Sequence, residues 1–272
     1  MPEIAEVETV RNTLKRMILK EKIVDVKVYY EKMIDNDIDY FCHNLKGEHI
    51  NDILRRGKWL IFELDNYYLL SHLRMEGKYF VKDKDEVKDK HEHVIFTFSD
   101  NKTLRYHDTR KFGRMKLVPK DKITEVEELN KQGIEPLDKR LNQEYLYNKI
   151  HTKNTAIKTV LLDQTIISGL GNIYADEVLF EARINPLRKA NSIKKAEAGK
   201  IVMACNKIIM EAIKCGGTTI RSYTSSLGVT VRFQQYLMVH KRENEKCYKC
   251  GSLIKREKVN GRSTYYCPKC QK

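Results

Sequence analysis

Two stretches of this 272-residue chain carry residues able to do chemistry, and the first is the N-terminus. Removal of Met1 would leave Pro2 with a free secondary amine, and α-amino groups are partly unprotonated near neutral pH. Glu3 lies beside it. An amine and a carboxylic acid together can form a Schiff base with a sugar aldehyde and move its protons. The alternative is that Pro2 only begins a helix, where proline is well tolerated.

The second stretch is a set of four cysteines near the C-terminus, arranged as two C-x2-C pairs with sixteen residues between them. This spacing is typical of structural zinc sites. Four thiolates complete a tetrahedral shell, so the zinc ion would fold the segment and catalyse nothing. The predicted ligands are Cys247, Cys250, Cys267 and Cys270.

A glycine-containing segment at residues 168–174 joins two predicted helices. Asn172 is expected to cap the second helix, with Asp176 and Glu177 in its first turn. Free backbone N–H groups at such a helix start can bind a phosphate. A plain helix–helix turn is the alternative. Further along, residues 260–263 are predicted to form a turn that presents Arg262 to a ligand. Its place in the basic half favours a phosphate, and a solvated arginine is the alternative.

Hydrophobic periodicity predicts the elements that position these groups. Residues 3–20 carry a helical stripe, expected to pack on a sheet and hold the terminal amine. Strand patterns at short spacing predict an antiparallel sandwich, with strands at 24–30, Trp59–Leu64, Tyr67–Leu73, Val94–Phe98, Leu104–His107 and Met115–Val118. Residues 82–93 are predicted to form a charged loop.

The second half of the chain is predicted to be mostly helical. A polar stretch from about Pro119 to Leu141 lacks strand alternation and marks the domain boundary. Beyond it, helices are predicted at Gln143–Lys149, Ala156–Leu162, Tyr174–Glu181 and Ser192–Lys214.

The charge of the chain is unevenly distributed. Its formal net charge is +14; residues 136–272 carry 25 lysines and arginines against 11 acidic residues, whereas residues 1–135 carry 26 of each. A basic half predicts a surface for a polyanion, with nucleic acid ahead of membrane. A solvated lysine-rich surface is the alternative. With no apolar run of eighteen residues and no signal-like segment, we expect a soluble intracellular protein.

Several separated segments together resemble the bacterial formamidopyrimidine-DNA glycosylases of the MutM type, over essentially the whole chain. Ala5 stands where the family usually has proline, and the loop at about Ser222–Gln234 keeps Gly228 but lacks a second glycine common in relatives. The matching segments are residues 2–8, Arg56–Trp59, His72–Gly77, Asp108–Gly113, Gly169–Glu177 and the cysteine ribbon with Arg262.

The resemblance implies an α+β fold with three domains. An N-terminal antiparallel β-sandwich flanked by helices would cover residues 1–130, a helical helix-two-turns-helix domain 131–236, and a zinc ribbon 237–272. The protein would be a bifunctional DNA glycosylase and abasic-site lyase of base excision repair, removing oxidised purines and cutting the strand by β,δ-elimination. Its partner would be damaged double-stranded DNA, and it would work as a monomer in the bacterial cytoplasm, associated with the nucleoid and not with membrane.

The resemblance also assigns catalytic roles. Pro2 would attack the anomeric sugar carbon, and Glu3 would protonate the ring oxygen of the opening sugar. Lys58 would contact the phosphate next to the lesion and assist proton transfer. Arg262, grouped with these catalytic residues, would hold a phosphate flanking the lesion together with Asn172.

The remaining implied roles concern DNA binding. A base must leave the stack to reach the amine, which costs a few kcal/mol. Phe112 would wedge beside the opposite base, Met75 would fill the vacated space, and Arg110 would hydrogen-bond the estranged cytosine. Core packing is the alternative for Met75 and Phe112. The family further suggests DNA contacts from His91, Lys158 and Tyr236, while Glu76 would face the flipped base.

Two other functions fit part of the pattern. An endonuclease VIII-type glycosylase shares the fold and nucleophile but prefers oxidised pyrimidines and does not typically carry the Met75, Arg110 and Phe112 triad. A catalytically silent DNA-binding zinc-ribbon protein would explain the charge and the cysteines, yet it would leave Pro2, Glu3 and Lys58 without a role.

Overall fold

The computed structural model describes residues 1–218 and 233–272, so the loop at about Ser222–Gln234, which the resemblance suggests reads the lesion, lies outside the described residues except for its last two positions. The described chain divides into two compact units. The first contains residues 1–2 and 6–130, and the second contains residues 3–5, 131–218 and 233–272. Within these described ranges, the helices are all too short or too polar to cross a membrane.

The first unit is an antiparallel β-sandwich, as predicted. Its eight described strands are β1 (Ile23–Val28), β2 (Asp52–Arg56), β3 (Trp59–Glu63), β4 (Tyr67–His72), β5 (Lys78–Asp83), β6 (Glu92–Phe98), β7 (Lys102–His107) and β8 (Arg114–Pro119). One sheet has the order β1-β6-β7-β5 and the other β2-β3-β4-β8. The Tyr79 hydroxyl of the first sheet donates to Ser71 Oγ of the second at 2.7 Å, and its ring lies edge-on to Phe62.

Helices flank this sandwich. They are α1 (Ile4–Ile18), α2 (Ile38–Leu45) and α3 (Glu127–Asn130). The predicted apolar stripe of α1 is buried at Val7, Val10, Leu14 and Ile18. Residues spaced three and four apart share one face of a helix, so this stripe holds α1 against the apolar interior of the unit.

The sequence pattern missed α2, β2 and β5. Helix α2 has a recognisable start, because Asp37 accepts a hydrogen bond from the Tyr40 N–H at 2.9 Å. Strand β2 carries mostly polar residues and is half-buried, and β5 has a single buried residue, Tyr79. Their strand state comes from pairing with neighbours, which local periodicity does not report.

The predicted charged loop at residues 82–93 is wrong at both ends. Lys82 lies in β5 and Glu92 begins β6. Glu92 is 1% exposed, and it pairs with Lys82 Nζ at 2.8 Å and with Arg105 Nη1 at 3.1 Å. Buried charges are tolerated when they are paired and hydrogen-bonded, which explains how charged residues enter a strand here.

The second unit is helical with a terminal hairpin. Its elements are α4 (Gln143–Ile150), α5 (Ile157–Leu161), α6 (Asn172–Glu181), α7 (Lys195–Lys214), β9 (Lys255–Val259) and β10 (Arg262–Tyr266). Apolar side chains from all four helices form one core. In α6 every residue from Tyr174 to Phe180 is buried, so the two acidic residues within it require internal partners.

Strands β9 and β10 form the predicted hairpin. Val259 and Arg262 are paired, which leaves Asn260 and Gly261 as a two-residue turn, and their φ angles are 47° and 77°. Positive φ at both positions is typical of the Asn-Gly hairpin turn. The turn places Arg262 at the exposed tip.

Candidate functional site

The Glu3 carboxylate lies at the N-terminus of α6. Glu3 is 2% exposed; its Oε1 accepts from the Ile173 N–H at 3.0 Å and its Oε2 from the Tyr174 N–H at 3.3 Å. These N–H groups have no partner within the helix, and the positive end of the helix dipole stabilises a negative charge there. The N–H groups that the sequence suggested for a phosphate therefore hold a carboxylate, one residue after the half-buried Pro2.

Gly171 permits this close approach. A methyl group on Gly171 would lie 2.2 Å from Glu3 Cδ. The Gly171 backbone, at φ −132° and ψ −161°, is extended and open to any residue. Space for Glu3, and not backbone freedom, therefore requires glycine at this position.

The predicted cap of α6 is wrong. Gly171 is the N-cap residue and Asn172 begins the helix, so no acidic residue lies in the first turn. Asp176 and Glu177 follow in the second turn, where both are buried. Because Glu3 supplies the capping acceptor, the Asn172 side chain is free to donate elsewhere, and its Nδ2 bonds the Ser263 carbonyl in β10 at 2.9 Å.

Lys158 lies beneath the hairpin and not on the surface. Its exposure is 0%, and its Nζ donates to the Ser263 carbonyl and to Thr264 Oγ1, both at 2.9 Å. Asp176 Oδ1 lies 2.7 Å from the same amine. Burial lowers the Lys158 pKa, and Asp176 opposes that shift. The direct DNA contact expected of Lys158 therefore does not fit its buried position.

In the first unit, Met75 and Phe112 are exposed, at 38% and 49% of their surfaces. The Arg110 guanidinium lies 4.9 Å from the Phe112 ring centroid. These values exclude core packing as the reason for the two apolar side chains. Exposed apolar side chains on loops are suited to insertion into a stacked duplex. We call the two loops that carry them, residues 73–77 and 108–113, the insertion loops.

Asp108 orders the second insertion loop, a role that the sequence analysis missed. It is fully buried; Oδ1 accepts from the Arg110 N–H, and Oδ2 from the N–H groups of Phe112 and Gly113, all at 2.9 Å. Aspartate at the start of a turn commonly binds following backbone N–H groups, and this signal could have identified it. The three bonds fix the backbone that carries the exposed side chains.

Tyr106 joins the two insertion loops. Its ring is fully buried, and methyl groups on Gly77 and Gly113 would lie 2.1 Å and 1.9 Å from its hydroxyl oxygen. The Thr109 hydroxyl also donates to the Glu76 carboxylate, one loop to the other. The two glycines are therefore needed to bring both loops against one aromatic ring.

Lys58 and His72 lie close to the first insertion loop. Lys58 follows Gly57, whose φ is 57°, and only 6% of Lys58 is exposed. Burial, with the nearby charges of Arg74 and Lys58, lowers the pKa of His72 to about 3. His72 is therefore neutral near pH 7, and its Nδ1 accepts from the Arg74 N–H at 3.0 Å.

His91 and Tyr236, two further expected DNA contacts, are at least partly accessible. His91 is half-buried just before β6, its N–H donates to Asp89 Oδ1 at 2.8 Å, and its ring centroid is 5.5 Å from that of His107. Tyr236 is 59% exposed.

The four predicted metal ligands are brought together. The Sγ atoms of Cys247, Cys250, Cys267 and Cys270 all lie within 4.8 Å of one another. Four clustered thiols form the donor set that zinc prefers in tetrahedral structural sites, so the residues fit one ion. Gly251, at φ 74°, follows the first pair, and its N–H donates to the Cys247 carbonyl at 2.9 Å, which closes the turn between these two cysteines.

Comparisons with known families cover nearly the whole chain. Residues 1–115 match the formamidopyrimidine-DNA glycosylase N-terminal domain, and residues 132–224 match the H2TH domain of the same enzymes. Residues 244–272 match a zinc finger found in FPG and IleRS.

Individual relatives are similar along their full lengths. A formamidopyrimidine-DNA glycosylase of Bacillus cereus is 45% identical over 273 residues, covering 100% of this chain and 99% of the relative; that of Listeria monocytogenes is 44% identical, with 100% of each covered. Among solved structures, MutM bound to DNA containing carbocyclic 8-oxo-G gives a TM-score of 0.93 at 39% identity. Lactococcus lactis Fpg bound to N7-benzyl-Fapy-dG DNA gives 0.94 at 39% identity. Both cover 100% of each chain.

Proposed function

This chain belongs to the formamidopyrimidine-DNA glycosylase family, and from that premise we propose that it removes 8-oxoguanine and formamidopyrimidines from duplex DNA and then cuts the strand. The single observation that carries the proposal is the placement of Glu3. A buried carboxylate, fixed by two helix N–H groups, follows directly after a residue able to become a terminal secondary amine. Solved relatives bound to DNA with oxidised or ring-opened guanine support the substrate class.

Pro2 acts as the nucleophile once Met1 has been removed. Its nitrogen lone pair attacks the anomeric carbon of the damaged nucleotide, and the glycosidic bond breaks with its electron pair leaving on the base. The Pro2 nitrogen releases its N–H proton and the leaving base takes one up, so the step balances. The sugar is then bound through a carbon–nitrogen bond to residue 2.

Glu3 moves protons at that sugar. A proton delivered to the ring oxygen opens the ring, and the Pro2 nitrogen then forms an iminium with the anomeric carbon. Because the N–H groups of Ile173 and Tyr174 hold both carboxylate oxygens, this group needs little reorganisation during the reaction.

Strand cleavage follows from the iminium. The positive charge acidifies the adjacent sugar proton, so loss of that proton expels the 3′ phosphate, and a second elimination expels the 5′ phosphate. Lys58 contacts the phosphate next to the lesion and assists these proton transfers. The product is a gap of one nucleotide.

The insertion loops hold the nucleotide out of the stack. Phe112 wedges beside the opposite base, Met75 fills the vacated space, and Arg110 bonds the estranged cytosine. Unstacking costs a few kcal/mol, which the free energy of DNA binding must offset. A wedge whose backbone is already ordered loses little conformational entropy on binding, so less of that free energy is used up. The hydrogen bonds to Asp108 provide that order.

Asn172 and Arg262 form a phosphate site, since Asn172 Nδ2 donates to the Ser263 carbonyl and Arg262 directly precedes Ser263 on the hairpin. Lys158 supports this site from below. His91 and Tyr236 are further contacts to the DNA backbone. One zinc ion held by the four cysteines folds the ribbon that carries Arg262.

Three finer assignments complete the proposal. The chain works as a monomer on damaged duplex DNA, in the bacterial cytoplasm near the nucleoid. Its functional division is an N-terminal catalytic sandwich to residue 130, a DNA-binding helical domain to residue 236 and a zinc ribbon to residue 272.

Borohydride trapping tests this function. The enzyme, with Met1 removed, is incubated with duplexes containing 8-oxoguanine opposite cytosine, thymine glycol, or an undamaged site, and covalent complexes are counted. We expect an adduct on 8-oxoguanine well above that on thymine glycol. Preferential trapping on thymine glycol would point to an endonuclease VIII-type activity, and no adduct on any duplex would indicate a binding protein without catalysis.

A further inference from the structure

Three buried ionisable side chains, Lys158, Asp176 and His240, contact one another in a row next to the phosphate site. Asp176 is fully buried; its Oδ1 lies 2.7 Å from Lys158 Nζ and its Oδ2 lies 2.8 Å from His240 Nδ1. His240 is 5% exposed, and its ring centroid lies 5.1 Å from that of Tyr265 in β10. All three groups are therefore shielded from solvent and from DNA.

Lys158, at one end of this row, contacts the hairpin. Lys158 Nζ donates to the Ser263 carbonyl and to Thr264 Oγ1, and Asn172 Nδ2 donates to the same Ser263 carbonyl. Ser263 directly follows Arg262. One carbonyl oxygen thus fixes both the Asn172 side chain and the backbone beside Arg262.

His240, at the other end of the row, is also held in place. Glu177, next to Asp176 on α6, accepts hydrogen bonds from the N–H groups of Met238, Val239 and His240, at 2.8 Å, 3.0 Å and 2.9 Å. These bonds fix the backbone that carries His240. Helix α6 therefore holds both the histidine and the carboxylate that it faces.

We propose that Asp176 and His240 are positioning residues for the phosphate site of Asn172 and Arg262. Asp176 fixes the Lys158 ammonium, and His240 fixes Asp176. A buried ammonium without a counter-charge is costly, so Lys158 keeps its place under the hairpin only while Asp176 faces it. The inference rests on the proposed function of Arg262 as a phosphate contact.

A double-mutant cycle tests the proposal, with binding to a duplex containing a reduced abasic site as the readout. His240→Leu removes the hydrogen bond to Asp176, whereas His240→Asn keeps a donor at the same distance from the backbone. We expect His240→Leu to raise Kd about tenfold and His240→Asn to raise it less than about twofold. In an Arg262→Ala background, His240→Leu should add less than about twofold, because the Arg262 contact that it would misplace is already absent.

A second variant keeps the test decisive if His240→Leu does not fold. Replacing the pair together, as Lys158→Met with Asp176→Leu, removes both buried charges and leaves no unpaired one. Zinc content and circular dichroism establish folding. We expect this folded variant also to bind about tenfold more weakly, and to lose that difference in the Arg262→Ala background.

The results distinguish the positioning role of Asp176 and His240 from the phosphate site itself. Wild-type Kd in the folded variants, or the same fold-change with and without Arg262, would overturn the positioning role. An Arg262→Ala variant that binds as tightly as wild type would instead remove the phosphate site itself, and the inference with it.

Discussion

A single missing methyl group decides where the Glu3 carboxylate lies. Gly171 has an extended backbone that alanine adopts equally well, yet an alanine methyl would overlap the Glu3 carboxyl carbon. Glu3 in turn replaces the side-chain cap that the sequence led us to expect from Asn172. At this scale the chemistry depends on contacts between residues 168 positions apart, which no local pattern contains.

Gly171→Ala is therefore expected to displace Glu3 while leaving the fold intact. A displacement of about 1 Å at a catalytic group costs on the order of a hundredfold in rate, so single-turnover excision of 8-oxoguanine should fall by about that factor. The control is Gly199→Ala in α7, where the methyl meets the movable end of the Gln143 side chain. Unchanged excision by Gly171→Ala would show that the position of Glu3 does not limit the reaction.

His72 makes a second prediction, on stability. Its pKa is lowered to about 3 in the folded protein, against about 6.5 unfolded. The unfolded state therefore binds the extra proton as pH falls below about 6.5, and stability declines from there towards pH 3.

Between pH 7 and pH 5.5 this pKa difference lowers the free energy of unfolding by about 1 kcal/mol. We expect His72→Asn, which keeps an acceptor for the Arg74 N–H, to lose that share of the pH dependence in urea unfolding. His43→Asn changes an exposed histidine and should retain it. Equal pH dependence in wild type and His72→Asn would contradict the assignment.

The second insertion loop shows how one buried carboxylate orders a whole element. Three N–H groups converge on Asp108, and its own carbonyl is bonded by His93 Nε2 at 2.8 Å. Tyr106 packs against Gly113 at the end of this loop and against Gly77 of the first insertion loop. In the proposed function, an ordered backbone lets exposed Phe112 enter the duplex without further loss of loop entropy. Asp108 is fully buried, so in the proposed function it contributes to base eversion through the loop backbone that it orders.

Asp108→Ala leaves those three N–H groups without their acceptor. We expect excision of 8-oxoguanine to fall at least about tenfold more than cleavage of a preformed abasic site, where no base must be displaced. Lost acceptors cost about 1–3 kcal/mol each, so melting temperature is measured alongside. Asp100→Ala, which removes an exposed turn acceptor for the Lys102 N–H, is the control. Equal losses in both activities would contradict a role in eversion.

The sequence predicted the elements that have a local pattern of their own. It missed those that form only by contact with other parts of the chain. The stripe of α1, the Asn260-Gly261 turn and the paired cysteines each carry their own signal. Strand β2, by contrast, exists because it pairs with β3. Lys158 looks like any surface lysine until Asp176 and the hairpin are brought around it.

At the scale of the whole molecule, the positive charge is concentrated in the half of the chain proposed to bind phosphates. The excess of basic residues lies entirely in the second half of the chain, which contains the proposed phosphate site. The sandwich half is neutral overall, and it carries the insertion loops proposed to distort the duplex. Long-range attraction and local distortion of the duplex are thus supplied by different parts of the chain.

This division predicts how salt acts on binding. Each phosphate contact releases counterions, so raising salt from about 50 to about 200 mM should weaken binding steeply, by about a thousandfold if six phosphates are contacted. Arg262→Ala should reduce the slope of log K against log salt by about one. Lys46→Ala, which removes a lysine paired with Asp25 in the first half, should leave it unchanged. A flat salt response would contradict the proposed basic face.

The central claim is that the amine of residue 2 forms the covalent bond to the everted sugar. The most direct test is peptide mapping by mass spectrometry of the borohydride-reduced enzyme–DNA complex, after digestion of both components. We predict a deoxyribose remnant on Pro2 and no Met1 in the modified peptide. A remnant on Lys58, or on any other lysine, would contradict it.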